Sequence, residues 1–102
     1  MPAPTPPYAE LHCHSAYSFL DGASLPDELA HRAAELGYTA LALTDHNSVS
    51  GSMELAQAAP EHGVRAIQGA EVDVLCGEGP SRHLTLLVRD GRGWSNLCRI
   101  LT

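Results

Sequence analysis

The chain has 102 residues, 44% of them apolar, and a formal charge of −6 with its histidines counted as neutral. That length holds one small domain with a modest core, because a chain of this size buries only about two-thirds of its unfolded surface. No apolar run nears the roughly 20 residues that span a bilayer, and the acid excess argues against binding nucleic acid by bulk charge alone.

The excess of acids is either a solvated surface or a set of groups that bind cations, since bound metal offsets negative charge. Three cysteines, Cys13, Cys76 and Cys98, are odd in number and widely spaced. They form neither a disulfide framework nor a Cys-x-x-Cys zinc ribbon. Cys13 reads as a small apolar group facing the core, and none of the three reads as a catalytic thiol.

Residues 1–7 are proline-rich and lack the basic and apolar regions of a signal peptide, so they read as a flexible start and point to a cytoplasmic location. Tyr8–Cys13 reads as a first strand. His14–Ala23 is a loop with Asp21-Gly22 as turn chemistry. Ser24 is the expected N-cap of a helix, with Asp27 completing a capping box and Pro26 in the first turn. Leu25, Leu29, Ala33 and Leu36 recur at helical spacing, and Gly37 closes the helix. Thr39–Thr44 is almost wholly apolar, as a strand buried on both faces of a parallel sheet would be.

A second helix is expected over Ser50–Ala59, with Met53, Leu55, Ala56 and Ala59 apolar and Pro60 and Gly63 ending it. Val64–Gln68 and Glu71–Cys76 read as separate strands. A turn over 77–82 leads to a strand at His83–Val88, and Trp94–Leu101 reads as a last helix. This alternation implies an α/β fold with a mostly parallel sheet and helices packed outside it. Its polar residues collect at C-terminal strand ends, where βα barrels place their active sites. The strands are too few to close a barrel, so the sequence reads as the N-terminal piece of something longer.

His12 and His14 alternate on their strand, so both imidazoles point one way, and such a pair suits a borderline-soft divalent cation such as zinc. They also fit two partly exposed strand histidines. His46, beside Asp45 at a strand end, strengthens the ligand reading. Glu71 and His83 are either further ligands or exposed strand-end residues; a carboxylate such as Glu71 can bridge two cations. Asp21 is either a turn residue or a ligand. Asp45 either orients an imidazole or caps the next helix. Imidazole and carboxylate ligands converging from several strand ends would support hydrolytic phosphoryl chemistry. His31 and His62 read as surface histidines. Ser15 and Ser48 have no base beside them. Gly91-Arg92-Gly93 matches no phosphate-loop fingerprint, and Arg89, Arg92 and Arg99 read as a solvated face.

The segment Tyr8-Ala-Glu-Leu-His-Cys-His-Ser-Ala-Tyr-Ser-Phe-Leu-Asp-Gly22 resembles the first motif of the polymerase and histidinol phosphatase (PHP) domain, in the form that opens bacterial C-family DNA polymerases. Ala42-Leu-Thr-Asp-His-Asn-Ser-Val-Ser-Gly51 resembles the second motif and Gly69-Ala-Glu71 the third. His83-Leu-Thr-Leu-Leu-Val followed by Gly93-Trp94-Ser-Asn96-Leu97 is similar to the segment that comes next in those polymerases. Phe19-Leu-Asp-Gly-Ala-Ser24, Ala33-Ala-Glu-Leu-Gly-Tyr38 and Trp94-Ser-Asn-Leu-Cys98 resemble the error-prone branch more than the replicative alpha subunit.

The resemblance implies that residues 8–102 are the N-terminal portion of a distorted βα barrel with a trinuclear centre, often zinc, with manganese or iron as alternatives. It places His12, His14, Asp21, His46, Glu71 and His83 at metal-binding positions. It further implies a parent DNA polymerase that takes DNA and deoxynucleotides, holds magnesium at a polymerase site absent from this chain, and performs damage-induced translesion synthesis. Its partners would be a sliding clamp and accessory mutagenesis proteins, and no membrane. The domain would act as a 3′→5′ exonuclease or as a structural platform, and this piece by itself would have little nuclease activity. The competing readings are a stand-alone phosphoesterase of the histidinol-phosphatase type and a metal-stabilised structural module.

Overall fold

A computed structural model describes residues 7–19, 22–75 and 77–102. Asp21 and Cys76 therefore lie outside the described residues, as does nearly all of the proline-rich start. The elements run β1 (Ala9–Glu10), α1 (Pro26–Glu35), β2 (Ala40–Leu43), α2 (Ser52–Glu61), β3 (Arg65–Val74), β4 (Arg82–Leu87) and α3 (Gly91–Leu101). The strands form one mixed sheet in the order β1-β2-β3-β4. The first three are parallel, and β4 is antiparallel to β3.

The first strand is much shorter than Tyr8–Cys13. Its ladder ends at Glu10 because the next amides find other acceptors. His12 N donates to the Glu10 carboxylate (3.2 Å) and Cys13 N to the Thr44 hydroxyl (3.0 Å). Thr44 N in turn donates to Cys13 O (2.8 Å). Cys13 and Thr44 keep the 31-residue offset that pairs Ala9 with Ala40, so the chain stays in register past the break. Both histidines thus lie just beyond the strand rather than in it, and Leu11 is exposed while Cys13 packs on the core.

Helix α1 is capped one residue later than expected. Leu25 is the N-cap and has no side-chain acceptor; its amide donates instead to the Glu28 carboxylate (3.0 Å). Pro26, Ala30 and Ala33 are its buried positions, whereas Leu25 and Leu36 at its ends are about half exposed. Gly37 has φ +78°, the left-handed conformation that favours glycine after a helix. β2 is buried at every position, as an interior parallel strand requires.

Helix α2 starts at Ser52 rather than Ser50, since Ser48 and Ser50 bond each other in the preceding turn. It carries Pro60 in its last turn rather than stopping there. Leu55, Ala58 and Ala59 are buried, while Met53 is exposed. Helix α3 begins at Gly91, three residues before Trp94, because the Asp90 carboxylate accepts from Gly93 N (2.9 Å).

The two strands expected at 64–68 and 71–76 are one continuous strand. β3 pairs in parallel with β2 through Gln68 and antiparallel with β4 from Gly69 onward. Gly69 lets β4 approach this closely: a Cβ there would lie 2.4 Å from the Leu86 carbonyl oxygen. The sheet therefore packs on two clusters. One joins α1 and α2 to Leu41, Leu43 and Val64; the smaller holds Ala70 and Val72 against Leu97 of α3. No helix among the described residues is long and apolar enough to cross a membrane.

Candidate metal centre

The ladder between β2 and β3 stops at Leu43, but its register continues to one further bridge, His46 opposite Glu71. Glu71 N donates to Asp45 O (2.9 Å) and Asn47 N to Glu71 O (2.8 Å), holding the two residues side by side. On the other edge Asp73 opposes His83 and Glu71 opposes Thr85. Residues two apart on a strand share a face, and diagonal neighbours across a ladder lie within side-chain reach. Glu71, Asp73 and His83 consequently face the same space as His46.

Glu71 is the hub of this space. Its side chain is only 6% exposed, yet four imidazoles reach it. His12 Nε2 (3.4 Å) and His83 Nδ1 (3.3 Å) approach Oε1. His14 Nε2 (2.5 Å) and His46 Nδ1 (3.4 Å) approach Oε2. Burial alone would push the Glu71 carboxyl up. Hydrogen bonds from His14 and His12, with the electrostatic pull of His46 and His14, outweigh it and hold the group below its ordinary value. The rings also pack on one another, with His14 and His46 centred 4.3 Å apart and His46 and His83 5.2 Å apart.

Among the described residues, His12, His14 and Glu71 offer ligand atoms within 4.8 Å of one another, and so do His46, Asp73 and His83. Imidazole nitrogens with carboxylate oxygens are the donors that first-row divalent ions take. The residues present fit a divalent metal centre, with two imidazoles at each oxygen of a carboxylate able to bridge. His12, His14, His46, Glu71 and His83 are thus brought together.

Asp73 and Asn47 were not anticipated as part of this space. The alternation Glu71-x-Asp73 was the available signal for the first. For the second it was an Asn directly after His46, since Asn tolerates the left-handed conformation found there (φ 49°).

Asp45 neither caps α2, whose N-cap is Gly51, nor faces the histidine space. It is buried and binds the loop after His14. Its carboxylate accepts from Ser15 N (2.6 Å), Ser15 Oγ (2.7 Å) and Ser18 Oγ (2.7 Å). Ser18 Oγ also accepts from His46 N (3.0 Å). One buried acid therefore fixes where the His12–His14 segment turns and where His46 begins. Cys13 lies behind, and burial, with the charges of Glu10 and Asp45, pushes its thiol up to about 11, which suits packing rather than nucleophilic chemistry. Outside this region His62 contacts Asp27 (3.1 Å) and His31 contacts Glu35 (3.4 Å) on the helical layer.

The sequence matches the model of the PHP domain over residues 10–102. It is 49% identical over 100 residues to an error-prone DNA polymerase of Mycobacterium tuberculosis, covering 92% of this chain and 9% of that protein. It is 50% identical over 95 residues to an error-prone DNA polymerase of Alkalilimnicola ehrlichii, covering 93% of this chain and 9% of that protein. The chain thus spans about a tenth of the length of these curated relatives. Among solved structures it superimposes with a TM-score of 0.74 and 26% identity on a Bifidobacterium adolescentis protein assigned as a metal-dependent phosphoesterase. That match covers 95% of this chain and 34% of the other, and agrees with an incomplete βα barrel.

Proposed function

The chain belongs to the PHP domain family, and on that premise we propose that its histidine cluster is a polynuclear metal site for phosphoester hydrolysis at DNA 3′ ends. The parent would be an error-prone DNA polymerase engaged in replication and translesion repair synthesis. The observation that carries the site is the distribution of four imidazoles, two to each oxygen of the buried Glu71. His12, His14, His46, Glu71 and His83 would hold the ions, with Asp21 a further ligand. Zinc fits the imidazole-rich set, with manganese or iron as substitutes.

Bound divalent metal supplies a lowered pKa for an attacking water and positive charge for the phosphate oxygens. The chain's own residues do the rest. Glu71 stays ionised in its buried setting and so can serve two ion positions at once. Asp45 binds Ser15 and Ser18 after His14, and Ser18 Oγ accepts from His46 N, so one buried acid ties the His14 and His46 segments together and helps to space their imidazoles. The sheet buries one side of the cluster, and the exposure of His12 and His83 leaves the other open to a phosphodiester.

In this reading residues 8–102 are the N-terminal portion of the domain. A separate magnesium-dependent nucleotidyltransferase site lies elsewhere in the gene product, which is cytoplasmic and works with a sliding clamp and accessory mutagenesis proteins. The likeness to a phosphoesterase fold favours hydrolysis as the chemistry. The higher identity to error-prone polymerases favours DNA over a small phosphate ester as the substrate.

The test is a 3′-labelled DNA assay on the complete gene product. Cleavage is expected to require a divalent metal and to vanish in Glu71→Gln, while primer extension continues. Cleavage that persists unchanged in Glu71→Gln overturns the assignment, and a metal-binding wild type that never cleaves makes the site structural.

A further inference from the structure

We propose that Asn47 and Asp73 form a clamp that positions His83, with Asp73 accepting from Nε2–H so that Nδ1 is the nitrogen left to an ion held beside Glu71. This rests on the metal-site reading above and extends it to two residues outside the ligands proposed there.

His83 lies between two carboxylates. Its Nε2 is 3.2 Å from Asp73 Oδ1, and its Nδ1 is 3.3 Å from Glu71 Oε1. A neutral imidazole has one N–H, so its two nitrogens must take opposite roles. The ring nitrogen that binds metal must be the unprotonated one, and an outer carboxylate on the other nitrogen is the usual means of selecting it. Asp73 is suited to that outer place. It is 43% exposed, against 6% for Glu71, and it opposes His83 directly in the β3–β4 register.

Asp73 is itself held. Its Oδ2 accepts from Asn47 Nδ2 (3.0 Å), and its amide donates to Asn47 Oδ1 (3.0 Å). Asn47 N donates to Glu71 O (2.8 Å). One residue thus grips β3 at both 71 and 73. It does so from a left-handed backbone (φ 49°) that Asn tolerates better than most residues. The grip begins immediately after His46, so one clamp sets the spacing of two imidazoles across the hub.

Asp73 also belongs to a group whose atoms could themselves hold an ion, with His46 and His83, and the experiment separates the two roles. The probe is ¹⁵N-histidine NMR of the metal-free 102-residue chain, with His83 assigned from His83→Gln, followed by zinc titration. Asp73→Asn alone would set an amide donor against Asn47 Nδ2, so it is paired with Asn47→Asp, which supplies an acceptor there; the pair keeps an oxygen for Nε2–H at position 73 but removes the negative charge a ligand there would need.

Wild type and the paired Asn47→Asp/Asp73→Asn variant are expected to show Nε2–H at His83 and zinc affinities within about threefold of each other. Asp73→Ala is expected to mix the tautomers and weaken zinc by about 10- to 100-fold. Asn47→Gly keeps the backbone conformation, removes the amide and is expected to fall between. Equal losses in the paired variant and in Asp73→Ala would make Asp73 a ligand and overturn the clamp; an Asp73→Ala chain unchanged in both readouts would overturn it as well. A wild-type chain that binds no zinc would refute the metal-site reading alone, because the His83 tautomer still tests the clamp.

Discussion

Asp45 and Glu71 are two buried carboxylates on neighbouring lines of the sheet, linked by a backbone hydrogen bond from Glu71 N to Asp45 O. Their partners differ completely. Asp45 is met by one amide and two hydroxyls, all from the loop after His14. Both hydroxyl oxygens are themselves engaged, Ser15 Oγ by Tyr17 N (3.1 Å) and Ser18 Oγ by His46 N (3.0 Å), so among the described residues this pocket is a closed set of hydrogen bonds. Glu71 is met by ring nitrogens, each able to shed its proton and turn a lone pair inward. Burial alone therefore does not mark a functional acid; whether its partners can change from donor to acceptor does.

The contrast breaks first at Asp45. Asp45→Ala strands three buried donors, and each costs about 1–3 kcal/mol unmet. Chemical denaturation should show a loss of about 3–5 kcal/mol, larger than for any substitution at Glu71 in the metal-free chain. Equal losses at the two sites would erase the distinction.

Glu71→Gln should act on binding instead. Zinc affinity by calorimetry is expected to drop by more than about 100-fold, equivalent to about 2.7 kcal/mol, and zinc should no longer raise the melting temperature. Retention of zinc-dependent stabilisation would move the hub elsewhere.

Gly69→Ala sharpens the comparison from a distance. The added Cβ meets the Leu86 carbonyl at 2.4 Å, and easing the overlap pushes β4, with His83, away from β3. A cost of about 1–3 kcal/mol is expected, with zinc binding weakened and the Asp45 loop undisturbed in amide exchange.

The smallest effect is on acid stability. The folded Glu71 carboxyl titrates below its ordinary value of 4.5. Its contribution in the metal-free chain is therefore complete above that value and is lost as pH falls through the lower, folded one. Stability against pH should have a flatter acid limb in Glu71→Gln than in the wild type. With zinc present the loss should begin at higher pH, because protons compete for the imidazoles.

Much of the site could be read from local pattern. His12-Cys13-His14 shows its alternation in any extended segment, and the buried run at 40–43 with polar residues after it marks a strand end. Helices α1 and α2 were legible from spacing and from the glycines at 37 and 63. Three of the boundaries that moved did so where a side chain supplied the deciding hydrogen bond: Glu10 and Thr44 in ending β1, Glu28 in starting α1, Asp90 in starting α3. Such bonds depend on one rotamer rather than on a period, so no spacing argument reveals them.

By itself the sequence determined which residues could carry the chemistry, and it separated helices from strands, because both rest on residue type and on periods of two or 3.6 along one segment. The tertiary structure alone decided that Glu71 is shared by four imidazoles, that Asp73 faces His83, and that Asp45 serves the loop rather than the cluster. Each depends on the register between segments distant in sequence. A shift of one residue in that register would turn every one of these side chains to the opposite face.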